Sequence, residues 1–304
     1  MFSLWRYLVL FSTWLVAKHR CCWDKPVELS KNLDRENLKL TVQFDIKAVT
    51  ARSLELSSKL QKRFVTAQTL LHLDKWAWDA AQRTAYYDSM DARLAAFHEY
   101  LYQELKFRPQ AENCLSPDNG LVDRVIEQSA GSPIVMSMLY LYLLQYSEIP
   151  CAIVEYPGAV LVRIDDQQLG YRYIDATDGR ELRFAEMEAR LRGIRGDLAR
   201  LSDDMLQPID EDQALSRLLL GLKAALIREE RFAEALICCE QLLTLNQDDP
   251  FEVRDRGFLL QQLQCFPLAL KDFEFFLQKC PDDPSAPLLK TQMRQMASEQ
   301  VVFH

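Results

Sequence analysis

Residues 131–150 read GSPIVMSMLYLYLLQYSEIP, and residues 151–179 contain three short runs, CAIVEYP, GAVLVRID and YRYIDATDG. The first part is apolar over about 15 residues and stops at Pro150, which is typical of a buried helix. The three runs are rich in β-branched and aromatic residues and are separated by turn residues, which is typical of short strands. This stretch therefore predicts a helix packed on a small sheet.

The composition describes an ordinary globular protein. The chain has 304 residues, of which 49% are hydrophobic and 26% are charged, and its net charge is −8. An acidic balance argues against nucleic acid as a partner, because nucleic-acid binding needs a basic face. Eight cysteines lack metal-ligand spacing, so we expect reduced thiols in a cytoplasmic protein, with no metal and no cofactor. The four histidines are His19, His72, His98 and His304.

Residues 1–40 are set apart as an N-terminal extension. Within them, residues 7–17 (YLVLFSTWLVA) are apolar and are flanked by Arg6 and Lys18. This run is too short to span a bilayer, which takes about 20 residues. Three interpretations stay open for it: a mis-called translation start, a weak membrane-surface anchor and a secretion signal.

Helical patterns surround the central stretch. Residues 51–107 contain no Gly or Pro and predict helices, residues 106–120 predict a loop, and residues 121–128 and 182–201 predict further helices. The segment 202–212 contains Pro208 and several acidic residues, so we place a domain boundary there and assign residues 41–207 to one domain. The aromatic residues of segment 74–87 are expected in the core: Trp76, Trp78, Tyr86 and Tyr87.

The C-terminal domain, residues 208–304, carries an internal repeat with a period of 34 residues. This period, with small residues at helix crossings, is the tetratricopeptide signature. Two units leave apolar faces uncovered, so we expect a capping helix over residues 285–300 and packing of the repeats on the preceding domain. The first unit departs from the consensus at Lys223 and Gln247. The expected packing positions are Ala235, Gly257, Ala269 and Pro281.

Several motifs together resemble the bacterial SirB family, whose members have a transglutaminase-like core followed by tetratricopeptide repeats. The resemblance covers residues 38–304. It implies an α+β, mostly helical fold with a papain/transglutaminase-like core. The motifs that carry it are Gly131-Ser132-Pro133-Ile134, Tyr140-Leu141-Tyr142-Leu143, Pro157-Gly158, Ile174-Asp175 and Arg254-Asp255-Arg256-Gly257.

The same resemblance implies that the catalytic positions are degenerate. Enzymes of this type place a cysteine at a helix N-terminus, a histidine on a following strand and an aspartate on the next strand. Here the cysteine position falls on Pro133, the histidine position on Ala159 and the carboxylate position on Asp175. Only the carboxylate keeps its chemistry, and Asp175 has a second interpretation as the cap of a turn.

These observations favour a non-catalytic scaffold or regulator that binds a protein or peptide through its repeat groove. Two alternatives stay open. One is a cryptic hydrolase or acyl-transferase that uses Cys114, Ser132 or Ser137 with a histidine folded toward it, and in which Cys151 is a core residue. The other is a membrane-surface adaptor anchored by residues 7–17.

Overall fold

The structure, a computed structural model, describes residues 44–62, 66–110 and 116–302. The predictions for residues 1–40 and for Cys114 lie outside the described residues. The N-terminal part contains helices α1 (Ile46–Gln61), α2 (Thr66–Thr84), α3 (Met90–His98), α4 (Val122–Gln128) and α5 (Pro133–Leu144). Strands β1 (Cys151–Tyr156), β2 (Ala159–Asp166), β3 (Gly170–Ile174) and β4 (Glu181–Leu182) follow, and then helices α6 (Phe184–Arg195), α7 (Glu211–Arg228), α8 (Phe232–Leu245), α9 (Pro250–Gln262), α10 (Phe266–Lys279) and α11 (Ala286–Val302).

The predicted α+β, mostly helical fold is confirmed. Every residue of α5 after Pro133 is buried, and α5 packs against α2, β1 and β2. The four strands form an antiparallel sheet in the order β1-β2-β3-β4. Strand β4 was not predicted, because two residues are too few to show an alternating pattern. The helix expected over residues 182–201 is α6, and it begins only after Leu182 has paired with β3.

The sheet buries both of its faces. On one face, side chains join the cluster that contains α5, and on the other they join a smaller cluster under α6. Successive strand residues point to opposite faces, so neighbours in sequence fall into different clusters. Val160, Val162 and Ile164 lie on the α5 side, whereas Val154, Tyr156 and Leu161 lie on the α6 side with Met187 and Leu191.

The prediction that the aromatic residues of segment 74–87 lie in the core was wrong for three of the four. Trp76 is half-buried and its ring contacts Phe107 edge-on, but Trp78, Tyr86 and Tyr87 are 59%, 85% and 48% exposed. The buried face of α2 consists mainly of small residues, which allow α2 to lie close to its neighbours. These buried residues are Leu73, Ala77, Ala80, Ala81 and Thr84.

The repeats form two helix pairs, α7–α8 and α9–α10, and α11 is the expected capping helix. Helix α7 packs on α1 and α5, so that one hydrophobic cluster runs from α1 through α5 into α7 and α8. The segment before α7 is also attached: the Ile209 amide donates to the Ile153 carbonyl at 2.9 Å. The repeats thus pack on the preceding domain, while the boundary at residue 207 stays a prediction.

Within the described residues, no helix combines the length and the apolar character that crossing a bilayer requires. The same part of the chain holds no group of three His, Cys, Asp or Glu side chains placed to bind a metal ion.

Candidate active-site positions

The N-terminus of α5 is the place where the resemblance puts a nucleophile. Ser132 is the N-cap residue in an extended conformation, and the exposed Pro133 follows as the first helical residue. The Ser132 amide donates to the Asn119 carbonyl at 2.8 Å, which attaches the helix start to the turn Pro117–Gly120. Proline suits the first helical position, because a backbone N–H at that position would have no hydrogen-bond partner within the helix. The site has the geometry of a helix start, and its first residue carries no thiol or hydroxyl.

Ala159, the histidine position, opens β2 and pairs with Tyr156 across the β1–β2 turn. Its methyl group packs against the cluster on the α6 side of the sheet. Helix α5 covers the other face, where Val160 is 5% exposed. Helix α5, which begins at Pro133, therefore lies on one face of the sheet, and the Ala159 side chain points to the other face. Neither residue can transfer a proton.

Asp175, the carboxylate position, lies directly after β3 and caps a turn. Asp175 Oδ1 accepts hydrogen bonds from the Thr177 hydroxyl at 2.6 Å and from the Thr177 amide at 3.0 Å. The Asp175 carbonyl accepts from the Gly179 amide at 2.8 Å. This is the pattern of an Asx turn. The carboxylate is thus engaged by its own turn, in agreement with the second interpretation made from the sequence.

Three other side chains near α5 could in principle act as nucleophiles: Ser132, Ser137 and Cys151. Ser137 is fully buried, and within the described residues its Oγ has no hydrogen-bond partner. The Ser132 Oγ is also without one. Cys151 opens β1 and packs against the main cluster, and burial raises the pKa of its thiol to about 12. A thiol with such a pKa is protonated at neutral pH and is a poor nucleophile.

One histidine does fold against α5, but not at its start. His98 Nε2 lies 2.9 Å from the Tyr140 hydroxyl, and Tyr140 comes seven residues after Pro133. Burial, and secondarily the charge of Arg172, lowers the pKa of His98 to about 4. The imidazole is therefore neutral at physiological pH, and its Nε2 is engaged by a tyrosine.

The four packing positions predicted for the repeats occupy different environments in the structure. Ala235 and Ala269 are fully buried. A Cβ added to Gly257 would lie 2.6 Å from the Phe273 ring, so this helix crossing leaves no room for a methyl group. Pro281 is exposed in the turn that follows α10.

A buried charged cluster in the repeats was missed by the sequence analysis. Lys223 Nζ lies 2.5 Å from Glu252 Oε2 and 2.8 Å from Asp255 Oδ2, and all three side chains are less than 5% exposed. The Cys239 thiol donates to the Glu252 carbonyl at 3.3 Å. One feature of the sequence could have indicated this cluster: Lys223 lies among apolar residues of α7, 34 residues before Gly257.

Comparison with known proteins agrees with this architecture. Residues 67–220 match the profile of the transglutaminase-like superfamily, and residues 222–294 match a tetratricopeptide repeat profile. A UPF0162 protein of Vibrio cholerae is 36% identical over 70% of this chain and 79% of its own length. Protein SirB1 of Salmonella typhimurium is 29% identical over 71% and 80%, and the UPF0162 protein YchA of Escherichia coli is 30% identical over 60% and 68%. No solved structure matches the chain.

Proposed function

Since this chain belongs to the transglutaminase-like family of SirB1 and the UPF0162 proteins, we propose that it is a non-catalytic scaffold that binds a partner protein through its tetratricopeptide repeats. The observation that carries this proposal is the occupation of the α5 N-terminus by Pro133. A proline there can neither attack a carbonyl group nor form a covalent intermediate.

Among the described residues around Pro133, the candidate side chains Ser132, Ser137 and Cys151 are poor substitutes for a nucleophile. A serine nucleophile needs a base within hydrogen-bond reach, and the two serines of the α5 start have no hydrogen-bond partner at Oγ within the described residues. Cys151 is held as a neutral thiol by burial. His98, which contacts α5, is hydrogen-bonded to Tyr140. These features support a structural, non-catalytic role for the core domain.

The repeats supply the binding surface in this proposal. Repeat arrays bind partners on their concave surface. Helix α7 is covered by the core, so the part of this inner surface that remains free belongs to the second unit and the capping helix. The Gln292 amide donates to the Gln261 side chain and joins α11 to α9. Leu288 on α11 is 50% exposed and offers an apolar contact to an incoming peptide or helix.

Alkylation kinetics test the absence of thiol catalysis. We expect iodoacetamide at neutral pH to modify the exposed Cys265 at an ordinary thiol rate and no cysteine faster. One cysteine that reacts far ahead of Cys265, with the fast phase lost on its replacement by Ala, would establish an activated nucleophile. That result would favour the hydrolase alternative, and Cys114→Ala and Cys151→Ala are the first variants to compare.

A pair of matched leucine variants tests the binding surface. Affinity purification with mass spectrometry identifies candidate partners, and titration calorimetry with the purified partner then measures the dissociation constant. We expect Leu288→Asp to weaken binding at least about tenfold, since an unpaired charge replaces an apolar contact. Leu268→Asp is the control, because Leu268 is 52% exposed on α10, in the second helix of its unit. Equal affinity of both variants and the wild type would exclude this surface.

A further inference from the structure

Helix α9 has four charged side chains, and each of them is paired with a group inside the repeats. Glu252 and Asp255 bind the buried ammonium group of the first unit. Arg254 is 2% exposed and lies 3.3 Å from Asp255. Arg256 donates two hydrogen bonds to Asp272 of α10, at 2.7 Å and 2.8 Å. The charges of α9 therefore hold the repeat helices together.

One side of α9 stays open. Within the described residues, α9 packs mainly on α8 and α10. Phe251, Phe258 and Gln262 are seven and four residues apart, so they share one side of the helix. Gln262 is exposed, and the two phenylalanines are half-buried, with their rings against Phe276 and Phe273 of α10. The open side of α9 thus presents aromatic rings and an amide group.

Helix α11 is the opposite wall of the same surface. The hydrogen bond from Gln292 to Gln261 joins α11 to the edge of the open side of α9. Leu288 is four residues before Gln292, so it lies on the same side of α11, where it is 50% exposed. The surface between the two helices is called the α9–α11 groove, and it is defined by Phe251, Phe258, Gln261, Gln262, Leu288 and Gln292.

The α9–α11 groove carries no charged side chain on α9 or on residues 286–296 of α11. The two cations of this part of α11 are Lys290 and Arg294. They lie about 200° and about 240° around the helix from Leu288, so they point away from α9. A charged ligand would lose its hydration in the groove without gaining an opposite charge. The groove therefore favours an uncharged ligand.

The amide groups favour an extended peptide over a helix. A glutamine side chain offers both donors and an acceptor, and the bond to Gln292 uses only the acceptor of Gln261. The backbone groups of an extended peptide are free to bind such amides, whereas those of a helix are already paired. The open side of α9 from Phe251 to Gln262 is about 16 Å long, which matches about five residues of extended chain.

We propose that the α9–α11 groove binds an extended, uncharged peptide segment of the partner protein. The apolar side chains of the segment pack on Phe251, Phe258 and Leu288, and the amides of Gln261 and Gln262 hydrogen-bond its backbone. Main-chain hydrogen bonds combined with side-chain contacts are a common way of recognising extended peptides. The inference rests on the proposed function and adds the chemistry of the partner.

Peptide selection on the full chain tests this chemistry. The probe is a phage library of random dodecapeptides, and selected peptides are synthesised and titrated by fluorescence anisotropy. We expect them to be rich in apolar residues and poor in charged ones. Their dissociation constants should change less than about twofold between about 50 mM and about 500 mM NaCl, because no ion pair is screened. Highly charged peptides, a steep salt dependence or a failure to select any peptide would overturn the proposal.

Charge variants at Gln262 test the place of binding. Gln262→Glu and Gln262→Lys should both weaken binding of the selected peptide by at least about fivefold, since the peptide would partly desolvate either charge. Gln278→Glu and Gln278→Lys are the controls and should bind like the wild type, because Gln278 is exposed on the side of α10 opposite Phe276. Opposite effects of Glu and Lys at position 262 would reveal a charged ligand. No effect of either would place the peptide elsewhere, and each of these results overturns the proposal.

Backbone methylation tests the extended form. Replacing single N–H groups of the selected peptide by N-methyl groups should weaken binding at least about tenfold at one or more positions, since glutamine amides lose their partners. A peptide that tolerates methylation at every position contradicts the proposal. So does a peptide that binds only after removal of residues 1–40, because that segment would then be the native occupant. If any of these tests fails while Leu288→Asp still weakens binding of the purified partner, the proposed function stands and the partner has another chemistry.

Discussion

Lys223 and Glu252 form a buried ion pair, with 2.5 Å between Nζ and Oε2, that joins the first repeat unit to the second. Asp255 is the second carboxylate partner of the same ammonium group. Burial by itself would lower the pKa of Lys223, but the carboxylates of Asp255 and Glu252 outweigh it and hold the pKa above its usual value. The charge therefore persists at neutral pH, in the unit that packs on the core.

Replacing Lys223 should strongly destabilise the protein. Lys223→Met removes the cation that two buried carboxylates share, although Asp255 keeps its contact with Arg254 at 3.3 Å. Removing one partner of such a buried cluster costs about 3–5 kcal/mol. Urea unfolding followed by circular dichroism measures the change. Lys271→Met on the exposed side of α10 is the control and should leave the midpoint unchanged. If both variants unfold at the same urea concentration, the cluster does not hold the units together.

Two glycines in the repeats should respond to alanine with opposite signs. Gly257→Ala places a methyl group 2.6 Å from the Phe273 ring, and over-packing of this kind costs about 1–3 kcal/mol. Gly221 in α7 has no atom within 4 Å of the added Cβ, so Gly221→Ala should stabilise the helix by about 0.5–1 kcal/mol. Thermal unfolding of both variants checks the pair. Stabilisation by Gly257→Ala would contradict the close helix crossing.

Acid should weaken the fold partly through His98. Its folded pKa of about 4 is below the unfolded value of about 6.5. Between these values the unfolded chain binds a proton that the folded chain does not, so stability is lost as the pH falls from about 6.5 to 4, by up to about 3 kcal/mol. His98→Gln should flatten this part of the profile, measured by urea unfolding at several pH values. The exposed His72→Gln should keep the wild-type slope.

The intact chain should unfold in one cooperative transition. A fragment of residues 41–207 lacks α7, whose Leu218, Leu219 and Leu222 are each about 1% exposed in the shared cluster. Each such side chain contributes about 1.5–3 kcal/mol, so their loss removes much of a typical stability of 5–15 kcal/mol. Calorimetry compares the chain with fragments 41–207 and 208–304. Two transitions in the intact chain, each matching one fragment, would show independent domains.

Local patterns predicted the elements around α5 because their information lies within a few residues. An unbroken apolar run, a proline and alternating β-branched residues indicated α5, β1, β2 and β3 before any contact was known. The helix end was placed too late, since residues 145–150 stay partly apolar while forming a turn. The period of 34 residues predicted α7 to α11 for a related reason, because each unit repeats the same local packing.

The sequence predicted less well where single side chains lie relative to neighbours that are distant along the chain. The catalytic positions Pro133, Ala159 and Asp175 were assigned from resemblance, and that assignment stays a prediction. The structure adds that Ala159 faces α6, which follows from strand register and is not contained in the motif. Trp78 was expected in the core because its type is usually buried, yet it lies on the free side of α2.

The sequence by itself determined the order of the main helices and of strands β1 to β3, the two repeats, the capping helix and the absence of a cysteine at the start of α5. Each of these depends on residue type and on spacing along the chain. Only the tertiary structure decided that Lys223 is neutralised by two carboxylates from the next unit, that α7 shares the core of the preceding domain and that Trp78 lies on the exposed side of α2. These features depend on which surfaces meet after folding, and residues far apart in the chain determine that together.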